Sequence, residues 1–503
     1  MRGQANRAFS RKRSYGKTVR RSGASIQGTM ANYVTTVISE RMAEREKARV
    51  VERALDLYTN DSMGHGVVEG GLIETVGIGL TPSFTPRAEW LGKDTAWAEL
   101  FEQRANQMFN RWGLGVHLWC DAQRRLNFYA LQALQYFQWK IFGIGLSQIV
   151  VRSDALRPLG LALLPVCPTR LGTPSDATGE VFDGIEIGKY GEPTHAFIRK
   201  PDRPVGNTTD CYDRVAIRDP KTGLPKLLLT CDVRNIAEYK QDSIYATLIK
   251  TLRDANDMSD AVLVGAVVRN LYVGFINAVG QGAMGANKNL DIEDRIIQTD
   301  NGTILQGLKG ESMDWFSHTA APQNLTDLTS MIHDRIGVGT VRGQENILRK
   351  YQASYSASKA SFEKAEEVAA YEHTILNRAF NAPVMAWMLY EMCLRSLLPV
   401  TSSEHFIANI DAYYSAEFLP QPMRQIDRKK AAEADVIGLN SNTTSLKDVF
   451  GRDGKDWRVE TEQRAKELKH LQDLEEKYGV SLRPPVKETG SEGTANSEEE
   501  DES

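Results

Sequence analysis

Three glycines, Gly280, Gly282 and Gly285, fall in the GxGxxG spacing that lets a backbone approach a pyrophosphate. That chemistry needs a strand before the glycines and a helix after them, so that the phosphate meets a helix N-terminus. Here the preceding residues, 258–280, read as an apolar helix, and the spacing lacks its context. Gly184, Gly188 and Lys189 imitate a phosphate loop, but one residue short, and Tyr190 stands where Ser or Thr would ligate magnesium. Tyr355 and Ser356 pair with Lys359 as YxxxK and SxxK. The first needs a nucleotide-binding βαβ unit upstream and the second needs SDN and KTG partners, and neither is present. A helix start capped by Ser accounts for both.

The remaining reactive residue types are scattered. Eight histidines occur without HExxH or HxH spacing, so each reads as a surface or satisfied core residue. Asp254, Asp257 and Asp260 suggest either a carboxylate site or the acidic first turn of a helix, and the helix dipole favours the second. Five cysteines are spread without a CxxC pair, which indicates neither a zinc ribbon nor a disulfide framework. They read as reduced thiols of a cytosolic protein. No catalytic constellation, metal site or cofactor is expected.

The elements around these residues define a mixed chain of 503 residues, a length suited to roughly three domain-sized units. Its formal net charge of −4 hides a polarity. Residues 1–30 hold eight Lys or Arg and no acid, whereas residues 488–503 hold seven Asp or Glu and no base. Both ends are expected to be disordered. The basic end lacks the apolar segment of a secretory signal, while its acid-free, Ser-containing composition is also that of a transit peptide. Ala261–Gly285 is apolar enough to suggest a membrane span, but Arg269 within it costs about 2.5–3.5 kcal/mol on insertion. A helix packed by protein on several sides suits it better.

Helical spacing runs from Tyr33 to Tyr58 and over Thr95–Trp112, Ala122–Phe142 and Ile244–Leu252, and an apolar helix over 258–280 and a short helix over Thr326–Ile336 are expected after them. Glu69–Leu80 is punctuated by glycine, and Pro82 and Pro86 mark a loop. Between Leu146 and Thr230 the period shortens to two, predicting strands at Leu146–Val151, Leu161–Pro165, Phe182–Ile187, Thr194–Arg199 and Lys226–Thr230. Ser358–Leu398 is the longest helical pattern, with an apolar seam through Phe362, Ala365, Val368, Ile375 and Ala379 and a kink expected a turn before Pro383. A last helix is expected over Val459–Tyr478. The fold class is α+β and helix-rich.

Five blocks succeed one another in order. They are Gly70–Pro82 (GGLIETVGIGLTP), Arg170–Pro174 with Gly184–Phe197 (RLGTP, GIEIGKYGEPTHAF), Thr303–Trp315 (TILQGLKGESMDW), Ile336–Lys364, and Gln425–Glu462. Together they resemble the conserved blocks of lambda-like bacteriophage portal proteins, across residues 65–480. Lys189 and Tyr190, Arg349–Gln352 and Arg428 depart from the usual pattern.

The resemblance implies a portal fold: a disordered basic arm (1–30), an α/β wing (31–253), a first stem helix (254–281) and a clip (282–321). Beyond these it implies a second stem helix (322–336), a tunnel loop (337–357), a long kinked wing helix (358–420), a helical crown (421–480) and an acidic tail (481–503). It implies a homo-oligomeric ring, of twelve copies in that family, at one capsid vertex of the virion, assembled in the host cytoplasm. Double-stranded DNA passes through its channel during packaging and ejection. The implied partners are the terminase large subunit, head–tail adaptor proteins, and the major capsid and scaffold proteins, with no enzyme activity and no membrane. On that map Arg342, Arg349, Lys350 and Lys359 are candidates to line the DNA channel, and Val264, Val268 and Tyr272 are candidates for the subunit interface. Three other readings compete: another phage head or adaptor protein, a metal-dependent nucleic-acid enzyme, and a membrane channel.

Overall fold

Val51, Ala54 and Leu57 recur at helical spacing, and they form the buried face of α1 (Glu44–Asn60). The structure, a computed structural model, describes residues 44–202, 206–271, 275–278, 296–299, 302–305, 311–314, 325–348, 355–419, 428–452, 455 and 457–480. The basic arm and the acidic tail lie outside the described residues.

The glycine-punctuated stretch Glu69–Leu80 begins as the end of a helix, α2 (Ser62–Thr75), and only its last five residues leave the helix. Asp61 caps it by accepting from the Gly64 amide at 2.7 Å. Burial of Val67, Val68 and Gly71 outweighs the poor helix propensity of its glycines. Strand β1 (Thr81–Ser83) and helix α3 (Thr95–Phe109), capped by Asp94, come next. The chain then widens into a π turn over Asn110–Leu114. Helix α4 (Phe128–Phe142) starts six residues later than the periodicity predicts. The cause is Asp121, whose carboxylate accepts from the amides of Gln123, Arg125 and Leu126 and so holds that segment as a loop until Asn127 caps the helix.

Five of the next seven strands lie where alternation predicts them: β2 (Gly145–Val151), β3 (Leu161–Pro165), β5 (Ile185–Ile187), β6 (Pro193–Arg199) and β8 (Leu227–Thr230). The single strand expected over 182–187 is a hairpin, because Asp183 and Gly184 both adopt positive φ, at 50° and 78°, and turn β4 (Val181–Phe182) back on β5. β7 (Tyr212–Ala216) was not expected; it is an edge strand, and its exposed Asp213 and Arg214 mask the alternation. The strands form an antiparallel β3-β2-β8 sheet and a β4-β5-β6-β7 sheet.

Helix α5 (Ile249–Leu271) fuses the two helical segments expected there and ends earlier than 280. Asp254, Asp257 and Asp260 therefore sit beyond its first turn, correcting the capping assignment. The chain beyond α5 forms strand, not helix: β9 (Phe275–Ala278) pairs with β12 (Glu311–Asp314), and β10 (Ile296–Thr299) pairs with β11 (Gly302–Leu305). Apolar runs rich in aromatic and β-branched residues read equally well as helix or strand. Helix α6 (Leu325–Thr340) overruns the expected boundary, and α7 (Gln344–Leu348) and α8 (Tyr355–Leu376) come after it, so most of the described part of the expected loop 337–357 is helical.

The expected kink is a π turn over Asn377–Asn381, after which α9 (Ala382–Leu394) starts with Pro383 in its first turn. Proline cannot donate to the carbonyl four residues back, and the widened turn absorbs that loss. Two short helices, α10 (Ser403–Ala408) and α11 (Ile410–Tyr413), lead to β13 (Glu417–Leu419), which pairs with β1. Helices α12 (Arg428–Asn440), α13 (Leu446–Arg452) and α14 (Trp457–Tyr478) complete the described chain. No helix among the described residues is long and apolar enough to cross a membrane.

Of the four hydrophobic clusters among the described residues, the two largest organise the helices. In the larger, Phe128 stacks on Phe380 with centroids 6.0 Å apart and meets Phe109 edge-on at 5.6 Å, so both π turns are anchored on one ring. The second joins α1, α2 and α4 to α5 and α6 through Val51, Val67, Ile141, Leu252, Ile332 and Ile336. Phe380→Ala should destabilise the subunit by about 3–5 kcal/mol in urea unfolding, whereas Ile236→Ala, at a side chain 90% exposed, should change it by less than about 0.5 kcal/mol.

Candidate functional site

The segment between α6 and α8 carries three of the four sequence-predicted channel cations, and its start is tied into the subunit by one buried carboxylate. Glu372 projects from the C-terminal half of α8 toward α2, α4 and the α6–α7 turn. Its Oε2 accepts from Thr75 Oγ1 at 2.9 Å and Tyr136 Oη at 2.8 Å, and its Oε1 accepts from Lys140 Nζ at 2.5 Å. Arg342 completes the cluster, donating to Glu372 and Glu74 and reaching Thr75 Oγ1 at 3.2 Å. The Arg342 side chain is 3% exposed and that of Glu372 is 9%.

Local sequence makes this convergence possible. Val341 and Gly343 both have positive φ, at 62° and 76°, and this reversal turns the intervening Arg342 inward. Positive φ is strained for a β-branched residue such as Val341, so the surrounding contacts must hold it. Gly71 on α2 leaves the space the cluster fills: a Cβ there would lie 2.6 Å from Tyr136 Oη and 3.2 Å from Arg342 Cζ. Asn346 Nδ2 then bonds the Arg342 carbonyl at 2.9 Å and the Ser361 carbonyl at 2.9 Å, pinning α7 to α8.

Electrostatics favour the charged forms of Glu372 and Arg342. Burial pushes the Glu372 carboxyl up, but Lys140 and Arg342 outweigh it and hold it below the usual carboxylate range. Burial lowers the Lys140 ammonium, and Glu372 offsets part of that shift. Burial opposes the Arg342 charge too, yet Tyr136, Glu372 and Glu74 together raise it.

The structure sorts the sequence-predicted residues by burial. Arg342 is buried, and its charge is spent inside the subunit on two carboxylates. Arg349, Lys350 and Tyr272 lie outside the described residues. Lys359 is exposed on α8, 3.8 Å from Glu363 one turn on. Val264 is 61% exposed on α5, with Leu263 at 64% beside it. Val268 is also on α5, its side chain outside the described ones. Helix α6 likewise exposes Leu328, Met331 and Val338, while its Ile332 and Ile336 are buried against the base of α5.

Lys189 sits after a hairpin with its ammonium 5.5 Å from the Tyr190 ring, not at a helix N-terminus, and the glycines at 280, 282 and 285 lie outside the described residues. Among the described residues no group of His, Cys, Asp or Glu is arranged to hold a metal. Burial pushes the thiols of Cys120 and Cys393 up to about 12, which keeps them protonated and unreactive. The Glu372 cluster escaped the sequence reading, although a signal existed. Position 372 falls on the apolar seam of α8, four residues after Val368 and three before Ile375, and an acid on a buried stripe demands partners.

Comparison with known proteins gives this fold a family. The family model for phage portal proteins, lambda family, matches residues 29–372, and the chain belongs to that family. Its function is that of a phage portal protein, in a family of structural proteins. Four of the five ordered sequence blocks lie within the matched span; the fifth, Gln425–Glu462, lies beyond it. Among solved structures, a chain in the neck of a native GTA particle, computed with C12 symmetry, aligns at TM-score 0.43 with 12% identity over 81% of this chain and 93% of that one. A chain in the virion of a native gene transfer agent particle aligns at TM-score 0.44 with 12% identity over 81% and 94% of the two chains. No curated protein matches.

Removing one member of the buried cluster should be costly, because it strands the others without water. Arg342→Met or Glu372→Gln should each destabilise the subunit by about 3–5 kcal/mol, and the double variant should lose less than the sum. The acid dependence has a definite sign. Glu372 has a folded pKa below its unfolded value of about 4.3, so its contribution is complete above that value. It should be lost as pH falls through the folded pKa, and urea midpoints of wild type and Glu372→Gln should converge there.

Proposed function

We propose that copies of this subunit close into a ring at one vertex of a phage capsid, twelve per ring, whose tunnel passes double-stranded DNA in packaging and ejection. Family membership supports the portal role. The observation that carries the ring is the α5–α6 pair. At its base both helices bury Leu252, Ala255, Ile332 and Ile336 in the subunit. Further along, α5 exposes Val262, Leu263 and Val264, and α6 exposes Leu328 and Met331. A helix pair that is apolar on its outer side needs identical neighbours, and cyclic symmetry supplies them.

On this reading α5 and α6 are the stem, β9 to β12 the clip between them, α1 to α4 with the two larger sheets and α8 to α9 the wing, and α12 to α14 the crown. Arg349, Lys350 and Lys359 remain channel candidates, and Val268 and Tyr272 remain interface candidates beside Val264. The ring would dock the terminase large subunit as its motor and later the head–tail adaptors, with capsid and scaffold proteins around it. The chain itself would act as a passive conduit without enzyme activity, since such a ring needs phosphate-positioning charge and no reacting group.

Native mass measurement of the purified chain tests the ring directly: a closed assembly of about twelve subunits is expected, and a stable dimer would sink the proposal. Val264→Asp should leave the subunit folded, because the side chain is already exposed. In the ring it should bury an unpaired carboxylate at every interface, at roughly 2–7 kcal/mol each, and shift the mass to monomer. Neutralising Arg349 and Lys350 together should keep the ring intact and shorten the DNA retained in heads. Unchanged retention would remove both from the channel.

A further inference from the structure

Three of the six most exposed large apolar side chains among the described residues, Val116 at 90%, Val151 at 82% and Leu156 at 78%, lie at one end of the β3-β2-β8 sheet. They stand on two segments, around 115–126 and 151–160, that are far apart in sequence and tied together there. The Ala122 amide donates to the Leu163 carbonyl at 2.8 Å, Arg152 donates to the Ala122 carbonyl at 2.5 Å, and Arg124 bonds Asp154 at 2.8 Å. The same segments carry outward-facing Arg124, Arg125 and Arg152. Of the three acids beside them, Asp154 is shared among Arg124, Arg152 and the buried Arg157, Asp121 is buried with its carboxylate committed to backbone amides, and Glu391 accepts from the Gly160 and Leu161 amides and pairs with Arg395. A cationic surplus therefore stands out on a chain whose net charge is negative.

The surface is held rigid. The Arg124 guanidinium lies 4.4 Å from the Trp119 ring centre, and Arg157 reaches the Leu161 carbonyl at 3.1 Å. Leu118 and Arg124 both keep positive φ, at 51° and 55°, a conformation non-glycine residues hold only when their contacts impose it. Exposed aliphatic side chains among cations, on backbone segments tied to one another, mark an interaction surface more than a solvated loop does. A phosphate backbone would satisfy the arginines but leave three aliphatics wet. An acidic polypeptide with its own aliphatic residues satisfies both.

We propose that this end of the sheet is a docking surface for an acidic, aliphatic-bearing segment of a partner protein. The proposal is independent of the ring. It is tested with the full chain by fluorescence anisotropy, using a labelled 16-residue peptide of Glu and Leu, a Glu and Gly peptide of equal charge, and a 16-base-pair duplex. The Glu–Leu peptide should bind at least tenfold tighter than the Glu–Gly peptide. Arg124→Glu with Arg125→Glu should weaken it at least tenfold, and Lys429→Glu, at an exposed cation elsewhere, should not. Should the arginine variant misfold, Val116→Asp with Leu156→Asp supplies the same readout from already exposed positions. Equal affinity for the two peptides, or unchanged binding in both double variants, overturns the proposal. A selective loss of duplex binding in the arginine variant overturns it too, reassigning the surface to nucleic acid.

Discussion

Glu372 is the point on which four separate parts of the subunit agree. Helices α2, α4 and α8 and the α6–α7 turn meet there, and α2, α4 and the turn each deliver one or two donors to its two oxygens. A buried ion cluster of this kind is not primarily a source of stability. The desolvation of its charges is large, and apolar side chains of equal volume would often serve as well. What the cluster supplies is direction. Apolar packing between α2, α4 and α8 tolerates a slide of an ångström or so, whereas a carboxylate accepting from a tyrosine, a threonine, a lysine and an arginine does not.

That constraint fixes the end of α6, and with it the faces the subunit shows. Arg342 lies two residues past the end of α6, so anchoring its guanidinium sets where the helix stops and how it is rotated. Rotation decides which residues are buried at the base, Ile332 and Ile336, and which remain outside, Leu328, Met331 and Val338. The cluster and the second core act on opposite ends of one lever: the core holds α5 against α6, and the cluster holds α6 against the body. The strain at Val341 is the local cost of this arrangement.

Much of the fold was legible because period and punctuation agree along most of the chain. The α8 seam, the last helix and five of the strands lie within a few residues of where their patterns place them. The failures share a physical form, in which a tertiary contact overrules a local signal. Glycines on α2 are tolerated because Tyr136 and Arg342 approach the helix closely at Gly71. Ala122–Asn127 has helical spacing but is held as a loop by the Asp121 carboxylate. The apolar run through Phe275 has no periodicity to separate strand from helix, and only pairing with β12 decides it. The portal family was legible from the order of the blocks, since order over hundreds of residues carries more information than any one spacing. The role of Arg342 was not. A cation in a glycine-flanked segment reads as exposed, and the acids that claim it lie 268 and 30 residues away in sequence.

The inward turn of Arg342 also changes the charge argument for a DNA conduit. A ring multiplies each exposed cation by the number of subunits, and every phosphate neutralised steepens the salt dependence of binding. A conduit that held DNA tightly would oppose its own motor, so few exposed cations per subunit suffice and many are a hindrance. Arg342 is withdrawn into the interior, and Lys359 faces Glu363 across one helical turn. The arginines at the end of the β3-β2-β8 sheet are a different case, because exposed aliphatic residues accompany them and favour a protein surface over a phosphate backbone. Charge on the described residues is thus divided by setting: paired and buried where Arg342 meets Glu372, paired with acids at the surface of α8, and clustered with apolar residues at the end of the β3-β2-β8 sheet.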